Sequence, residues 1–270
     1  MTTSAAFFDL DRTLMSGSSV YYVGKAAYRE GLRPWHRLFA DALNTLVFRA
    51  FGASDEKSAA MRDAILESVA GSDAAELHRM APGVIEEILP LIRPEAQALL
   101  DMHDAAGRDV YIVSASPVEI VDELARALGI KGGLGSVSEV VGGRYTGRLD
   151  GPFLYGEGKA IKIRSIAEER GYVLSTCYAY SDSGSDLPMM QIVGNPVAVN
   201  PDRALQAVAH RRGWPVVEFN PAGKRRRRTA LSGGVGLVAG TGGYLLGRRT
   251  ADRRLRVLLE ETAGRRRWRG

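Results

Sequence analysis

Short apolar segments alternate with helical segments from about residue 92 onward, and this alternation restricts the fold more than any other feature of the sequence. Helices with an apolar face are predicted between apolar runs typical of buried strands, at 109–114, 176–181, 196–199 and 216–219. Two parallel strands need a long crossover connection, which is usually a helix. The alternation therefore predicts an α/β fold, with a doubly wound, mainly parallel sheet covered by helices on both faces.

The chain is predicted to consist of a core, an inserted cap and a tail. An apolar run at 5–10 predicts the first core strand, whereas apolar residues recur at three- and four-residue spacing in the segment that follows. We expect residues 1–18 and 92–220 to form the α/β core and residues 19–91 to form a helical cap. Within the core, Gly142-Gly143 between two strand-like runs predicts a hairpin.

The formal net charge of +5 reflects basic clusters in the tail, residues 221–270. Because these clusters lie at 224–228 and 265–269, the charge says little about the core. The single cysteine, Cys177, excludes an internal disulfide and favours a reducing compartment. The N-terminus has no signal-peptide pattern, so a cytoplasmic protein is expected.

An uncharged segment of 19 residues, 229–247, lies between the basic clusters and approaches the length of a bilayer span. Seven of its residues are glycine, which lowers its helix propensity. The basic flanks favour anionic lipid, at about 1 kcal/mol per residue near the surface, and predict association with the inner face of the membrane. A solvated tail and a less favoured nucleic-acid-binding tail are the alternatives. Membrane partition unchanged by deletion of residues 231–270 would remove this prediction.

Four polar motifs fall at the carboxyl ends of predicted strands or at the starts of the next helices, where open α/β sheets bind ligands. In chain order they are the run from Asp9 to Thr13, Ser114, Lys159, and the run from Asp182 to Asp186. A phosphate dianion facing several aspartates would be repelled, so the site needs positive charge. Lys159 offers a fixed cation, and the carboxylates suit a hard ion such as Mg²⁺.

Some residues at these motifs have alternatives. Ser116 competes with Ser114 as the hydroxyl that contacts phosphate, and Lys162 competes with Lys159 as the cation. Arg12 is predicted to lean over the entrance and contact the substrate, with a solvated loop position as its alternative. The four histidines lack ligand spacing, so a zinc enzyme or a histidine phosphatase has little support.

The ordered motifs DLDRT, Ser114, Lys159 and DSGSD resemble those of the haloacid dehalogenase-like (HAD) phosphatase superfamily. The resemblance covers residues 5–219, and the helical insertion resembles the cap of subfamily IB, which includes phosphoserine phosphatases. It implies a magnesium-dependent phosphomonoester hydrolase in which Asp9 attacks phosphorus and forms an aspartyl-phosphate. Asp11 would protonate the leaving oxygen and then activate water.

The same resemblance implies the binding roles of the remaining residues. Magnesium would be held by the Asp9 and Asp182 side chains and the Asp11 backbone carbonyl, and Asp186 would orient the metal's water or Lys159 from behind. The phosphate oxygens would be held by Thr13 and Ser114. Lys159 would offset charge on the nucleophile and the phosphoryl group.

The sequence departs from phosphoserine phosphatases directly after the first motif. Those enzymes usually carry an acidic residue there to bind the substrate amine, whereas this chain has none between Leu14 and Ser19. The expected substrate is a small phosphorylated metabolite or a lipid-derived phosphate. A phosphotransferase or mutase with the same intermediate, and a non-catalytic membrane-tethered regulator, are the alternatives. The sequence carries no signal for an oligomeric state.

Overall fold

The structure is a computed structural model that describes residues 3–29, 62–63, 66–67 and 69–219. Its strands are β1 Ala5–Phe8, β2 Asp109–Pro117, β3 Gly132–Ser136, β4 Ser138–Val141, β5 Arg144–Leu149, β6 Tyr178–Ser181, β7 Asn195–Val199 and β8 Val216–Val217. Six of them form one sheet in the order β3-β2-β1-β6-β7-β8, and all its pairings are parallel. β4 and β5 form the predicted antiparallel hairpin around Gly142-Gly143. The predicted fold class is confirmed.

The described helices are α1 Ser19–Arg29, α2 Ala74–Ile88, α3 Pro94–Ala105, α4 Val118–Ala127, α5 Glu157–Arg170, α6 Leu187–Gln191 and α7 Arg203–Arg212. Local signals explain their ends. Pro94 opens α3 at a position where its missing N–H is not needed. The Asp202 carboxylate caps α7 by accepting the Leu205 N–H at 2.8 Å. Gly171 ends α5 in the left-handed conformation that glycine adopts readily.

Apolar residues cover both faces of the sheet, which is why β1 is apolar throughout. Alternate residues of β1 enter different core clusters, with Ala6 and Phe8 on one face and Ala5 and Phe7 on the other. The first cluster is closed by α1 to α4 and the second by α5 to α7. This two-sided packing buries β1 at the centre of the sheet and fixes the position of the residues that follow it.

Parts of the predicted cap and the whole tail lie outside the described residues. Within the predicted cap, α1 and α2 are helical and share the first core cluster, and Lys25 of α1 pairs with Glu87 of α2 at 2.6 Å. The division at residues 19–91 stays a prediction. Among the described residues, no helix has both the length and the apolar character needed to cross a bilayer. The candidate segment 229–247 lies beyond them, so membrane association also stays a prediction.

β3 is absent from the sequence prediction because its sequence, Gly-Gly-Leu-Gly-Ser, has none of the β-branched or aromatic residues typical of strands. The reason for the glycines is the close approach of α4. A Cβ added at Gly133 would lie 2.3 Å from the Val121 backbone, and one at Gly135 would lie 2.4 Å from Val118 Cα. Packing, rather than strand propensity, therefore selects this sequence.

Substitution of Gly135 by alanine is expected to lower the free energy of unfolding by about 1–3 kcal/mol, the usual cost of forcing extra volume into a packed site. Gly83→Ala is the matched control, because Gly83 lies inside α2 with open space at its Cβ position. That control should gain about 0.5–1 kcal/mol from the better helix propensity of alanine. Denaturant unfolding measures both changes, and equal effects of the two substitutions would contradict the proposed packing.

Candidate active site

Side-chain contacts at the carboxyl edge of the sheet, where β2, β1 and β6 are neighbours, join five of the predicted site residues: Asp9, Thr13, Lys159, Asp182 and Asp186. Asp9 directly follows β1, and its backbone N–H donates to the Tyr180 carbonyl of β6 at 2.9 Å. Asp182 directly follows β6. The chain runs outward from β1 in opposite directions on its two sides, which makes this edge a topological switch point. Ser114 lies inside β2 rather than at its end, because β2 continues to Pro117.

A buried lysine joins two of the aspartates. Lys159 Nζ donates to Asp9 Oδ1 at 2.5 Å and to Asp186 Oδ2 at 2.8 Å. All three residues are buried, with exposed fractions of 3% for Lys159, 8% for Asp9 and 2% for Asp186. Lys162, the alternative cation, is half-buried one turn further along α5. An ammonium has three donors, so Lys159 keeps one for an incoming group after serving both carboxylates.

The local sequence before α5 explains how Lys159 reaches the site. Gly156 has a φ of +54°, and a Cβ added at Gly158 would lie 1.8 Å from the Phe153 carbonyl oxygen. The chain therefore folds back on itself in a way that only glycine permits at these positions. This tight turn starts the helix with Lys159 pointing into the sheet edge.

Thr13 and Arg12 connect the first motif to the last. The Thr13 hydroxyl donates to Asp9 Oδ2 at 3.1 Å and lies 3.4 Å from Asp182 Oδ1. The Arg12 guanidinium forms an ion pair with the other carboxylate oxygen of Asp182, Oδ2. Arg12 thus lies on the solvent side of Asp182 and contacts a carboxylate there, and its contact with the substrate stays a prediction.

The Asp11 side chain contacts the start of α1. Its Oδ1 accepts the Ser19 backbone N–H at 2.7 Å, and its Oδ2 is 3.4 Å from the Ser18 hydroxyl. These contacts place the half-buried carboxylate at the N-terminal end of α1, where the exposed N–H groups favour negative charge. The two aspartates of the first motif therefore have different surroundings, although they are only two residues apart.

The two candidate serines of β2 are both buried and both hydrogen-bonded. Ser114 Oγ accepts the Ser116 backbone N–H at 3.2 Å. The Ser116 hydroxyl lies 2.7 Å from the Ser19 hydroxyl of α1. Ser116 thus contributes its hydroxyl to the junction between core and α1, while Ser114 stays the predicted phosphate contact.

Two residues that support the site are absent from the sequence prediction. The Ser181 hydroxyl donates to Asp186 Oδ2 at 2.7 Å. Asp202 accepts the Gly184 N–H at 3.0 Å, and its own N–H donates to the Asp182 carbonyl at 2.7 Å. Both hold the loop that carries Asp182 and Asp186. Their sequence signals are ordinary ones, a strand-end serine and an aspartate before a helix, which have many structural uses.

The carboxylates of the site are short of positive charge. Burial raises the pKa of Asp9 to about 7, although Lys159 acts in the opposite direction. Repulsion from Asp186 and Asp182 adds to this rise. Burial likewise raises the pKa of Asp182 to about 6, against the opposing influence of Arg12. Burial alone would lower the pKa of Lys159, but the ion pairs with Asp186 and Asp9 raise it. A further cation would relieve this imbalance.

The donor set fits a hard divalent cation. Asp9 and Asp182 face the same Thr13 hydroxyl, so their oxygens border one small space, and oxygen ligands are those that Mg²⁺ prefers. In the described part of the chain, no three His, Cys, Asp or Glu side chains are grouped so that they could hold a metal ion. The predicted set needs only two side chains, because its third ligand is the Asp11 backbone carbonyl.

Comparison with known proteins identifies the family. A sequence model of haloacid dehalogenase-like hydrolases matches residues 6–191. A probable phosphatase of Mycobacterium tuberculosis is 39% identical over 260 residues, covering 92% of this chain and 90% of that protein. A phosphoserine phosphatase of the same organism is 40% identical over 232 residues, covering 83% of this chain and 74% of that protein.

A solved structure shares the fold. The crystal structure of a Bordetella pertussis protein of unknown function superposes with a TM-score of 0.68 and 28% sequence identity, covering 80% of this chain and 99% of that one. The parallel sheet, the buried aspartates and the lysine at its edge agree with the resemblance noted from the four motifs. The chain is an enzyme of the haloacid dehalogenase-like hydrolase family.

Proposed function

We propose that this enzyme hydrolyses small phosphomonoesters with Mg²⁺ through an aspartyl-phosphate on Asp9. The observation that carries the proposal is the contrast between two neighbouring carboxylates. Asp9 is buried and held by Lys159 and Thr13, whereas Asp11 is half-buried and bound at the start of α1. Asp9 and Asp182 together would hold a cation that keeps Asp9 ionised as the nucleophile. The Asp11 side chain would stay off the metal and carry the proton, although its contact with α1 favours the charged form. The two mycobacterial relatives, both called phosphatases, support the same activity.

The first step transfers the phosphoryl group to the enzyme. An Asp9 carboxylate oxygen attacks phosphorus while the bond from phosphorus to the leaving oxygen breaks. Asp11 gives its proton to that oxygen, so the product leaves as a neutral alcohol. Lys159 offsets charge on the phosphoryl oxygens with the ammonium donor left after its two carboxylate contacts. Thr13, in the loop after β1, and Ser114, inside β2, supply hydroxyls to hold these oxygens.

The second step returns the enzyme to its starting state. Asp11, now a carboxylate, takes a proton from water, and the hydroxide formed attacks phosphorus. The bond between phosphorus and Asp9 breaks, and inorganic phosphate leaves. Because Asp11 accepts an N–H from α1 rather than from Lys159, it exchanges protons without disturbing the Asp9 ion pair.

Magnesium would be bound by the side chains of Asp9 and Asp182 and by the Asp11 backbone carbonyl. HAD phosphatases generally use this ion. When bound, it supplies positive charge for the phosphoryl oxygens and lowers the pKa of Asp9 from about 7, which keeps the nucleophile ionised at neutral pH. Asp186 accepts hydrogen bonds from Lys159 and Ser181 and would support the metal site without being a ligand itself.

The substrate is proposed to be a small phosphorylated metabolite or a lipid-derived phosphate. The absence of an acidic residue between Leu14 and Ser19 argues against an amine-binding contact at that position. A lipid-derived substrate fits the proposed association of the basic tail, residues 221–270, with anionic membrane. A panel of phosphomonoesters that includes phosphoserine and lysophosphatidate separates these classes by their kcat/KM values.

Hydrolysis of p-nitrophenyl phosphate tests the proposed reaction. Inorganic phosphate should form with Mg²⁺, fall to the background rate with excess chelator, and recover when Mg²⁺ is restored. Competing alcohols separate hydrolysis from transfer, because a transferase would convert them to phosphate esters. Full activity in chelator, or phosphate appearing mainly on the added alcohol, would contradict a magnesium-dependent hydrolase.

A further inference from the structure

We propose that Arg12 is a built-in counter-cation of the metal site, which competes with Mg²⁺ for Asp182 and turns to the substrate phosphate when Mg²⁺ binds. This inference rests on the proposed function. It makes Arg12 the residue through which metal binding and phosphate binding become coupled.

The contacts of Asp182 are the first observation. Its Oδ2 pairs with the Arg12 guanidinium, and its Oδ1 faces the Thr13 hydroxyl. Both carboxylate oxygens are therefore already engaged by the protein. A cation that takes Oδ2 as a ligand competes for that oxygen with the guanidinium, because the two positive charges repel each other. The Asp182 side chain is 6% exposed and that of Arg12 is 51% exposed, so Arg12 covers the carboxylate from the solvent side and is the partner with room to leave.

The backbone at Arg12 is the second observation. Its φ is +65°, one of two positive values among the described non-glycine residues. Residues other than glycine adopt this left-handed backbone conformation at an energetic cost, and such strain persists where surrounding contacts hold it. The Arg12 N–H donates to the Gly17 carbonyl at 3.2 Å, which closes the loop around this conformation. The turn directs the guanidinium across the site to Asp182.

Charge explains why Arg12 would move. The guanidinium stays protonated, so it contributes a fixed positive charge beside Asp9 and Asp182. Mg²⁺ bound to Asp182 would repel it. A phosphate oxygen pair at the entrance offers the displaced guanidinium a bidentate partner of the kind that arginine binds well. Phosphate should then strengthen Mg²⁺ binding, and by thermodynamic reciprocity Mg²⁺ should strengthen phosphate binding.

Isothermal titration of the full-length protein with Mg²⁺ tests this inference. Arg12→Gln removes the charge and keeps a side chain on the same strained backbone. We expect it to bind Mg²⁺ roughly tenfold more tightly than wild type, the value of one charge-assisted hydrogen bond of about 1.5 kcal/mol. Arg148→Gln is the matched control, because it breaks the exposed Arg148–Glu139 pair on the hairpin and should leave Mg²⁺ affinity unchanged. Equal or weaker Mg²⁺ binding by Arg12→Gln would overturn the competition.

Repeating the titration with saturating inorganic phosphate tests the coupling. Phosphate should raise Mg²⁺ affinity by a larger factor in wild type than in Arg12→Gln, and an equal factor would overturn the transfer of Arg12 to phosphate. Arg12→Gly also lacks the guanidinium, and it relieves the backbone strain. If the charge alone matters, Arg12→Gly should bind Mg²⁺ as tightly as Arg12→Gln. A wild-type Mg²⁺ affinity in Arg12→Gly would overturn the role of the Arg12 charge.

These titrations are independent of turnover. Unchanged Mg²⁺ affinity in Arg12→Gln removes the Arg12 inference and leaves the proposed hydrolysis standing. Turnover retained by Asp9→Asn removes the proposed mechanism, whatever the titrations show.

Discussion

Replacement of Asp9 by asparagine is expected to lower the kcat for p-nitrophenyl phosphate by about 10⁴-fold or more, a loss typical of a removed nucleophile. Asparagine has nearly the same shape, and its amide oxygen can still accept a hydrogen bond from Lys159 or Thr13. The loss should therefore arise from chemistry rather than unfolding. Steady-state kinetics at saturating Mg²⁺ measures it.

The matched control for Asp9→Asn is Asp150→Asn, which makes the same change at an exposed position after β5. It should keep the wild-type kcat. A kcat for Asp9→Asn within tenfold of wild type would show that another group attacks phosphorus.

Replacement of Lys159 by methionine is expected to lower the free energy of unfolding by about 3–5 kcal/mol near pH 8, the cost of leaving buried charges without their partner. The side chain is 4% exposed and contacts Asp9 and Asp186, so solvent offers little screening. Turnover should also be lost, because Lys159 supports both the nucleophile and the phosphoryl group. Urea unfolding in chelator measures the stability change without contribution from a metal.

The same variant has a pH dependence of defined sign. The pKa of Asp9 in the folded protein, about 7, already exceeds the value of about 3.9 for an unfolded chain. Loss of Lys159 removes an influence that lowers this pKa, so the pKa should rise further. The folded state then holds a proton that the unfolded state has released, and stability falls as pH rises through this window. The destabilisation should therefore be smaller at pH 5 than at pH 8.

Lys162→Met is the control for that experiment, because it makes the same change on the same helix at a half-buried position. Its effect should stay within about 0.5 kcal/mol, as for most surface substitutions. Similar losses in the two variants would mean that Lys159 has no special role in holding the carboxylates together.

The centre of the site could be predicted from sequence because parallel strands deliver their carboxyl ends to one edge. Asp9 and Asp182 each directly follow a predicted strand, so a prediction of the two strands also predicts that the two aspartates lie close together. Lys159 is harder to predict as a site residue, because a lysine at a helix start is common. The glycines at 156 and 158 marked it, and the structure explains them by the tight turn before α5.

Other parts of the site depend on contacts that no local pattern records. The pairing of Arg12 with Asp182 joins residues 170 positions apart through the alignment of β1 and β6. The supports given by Ser181 and Asp202 follow from loop conformation after the strands have paired. β3 is not predicted from the sequence for a related reason. The close approach of α4 requires its glycines, and glycine has a low strand propensity.

The most direct test of the mechanism is to locate the phosphoryl group on the enzyme. Enzyme mixed with p-nitrophenyl phosphate and Mg²⁺ is quenched in acid during the burst of p-nitrophenol release, digested at low pH and examined by peptide mass spectrometry. The predicted result is phosphate on Asp9, with none in the Asp9→Asn variant. Phosphate on a different side chain, or unmodified Asp9 in enzyme that has produced a full burst, would contradict nucleophilic attack by Asp9.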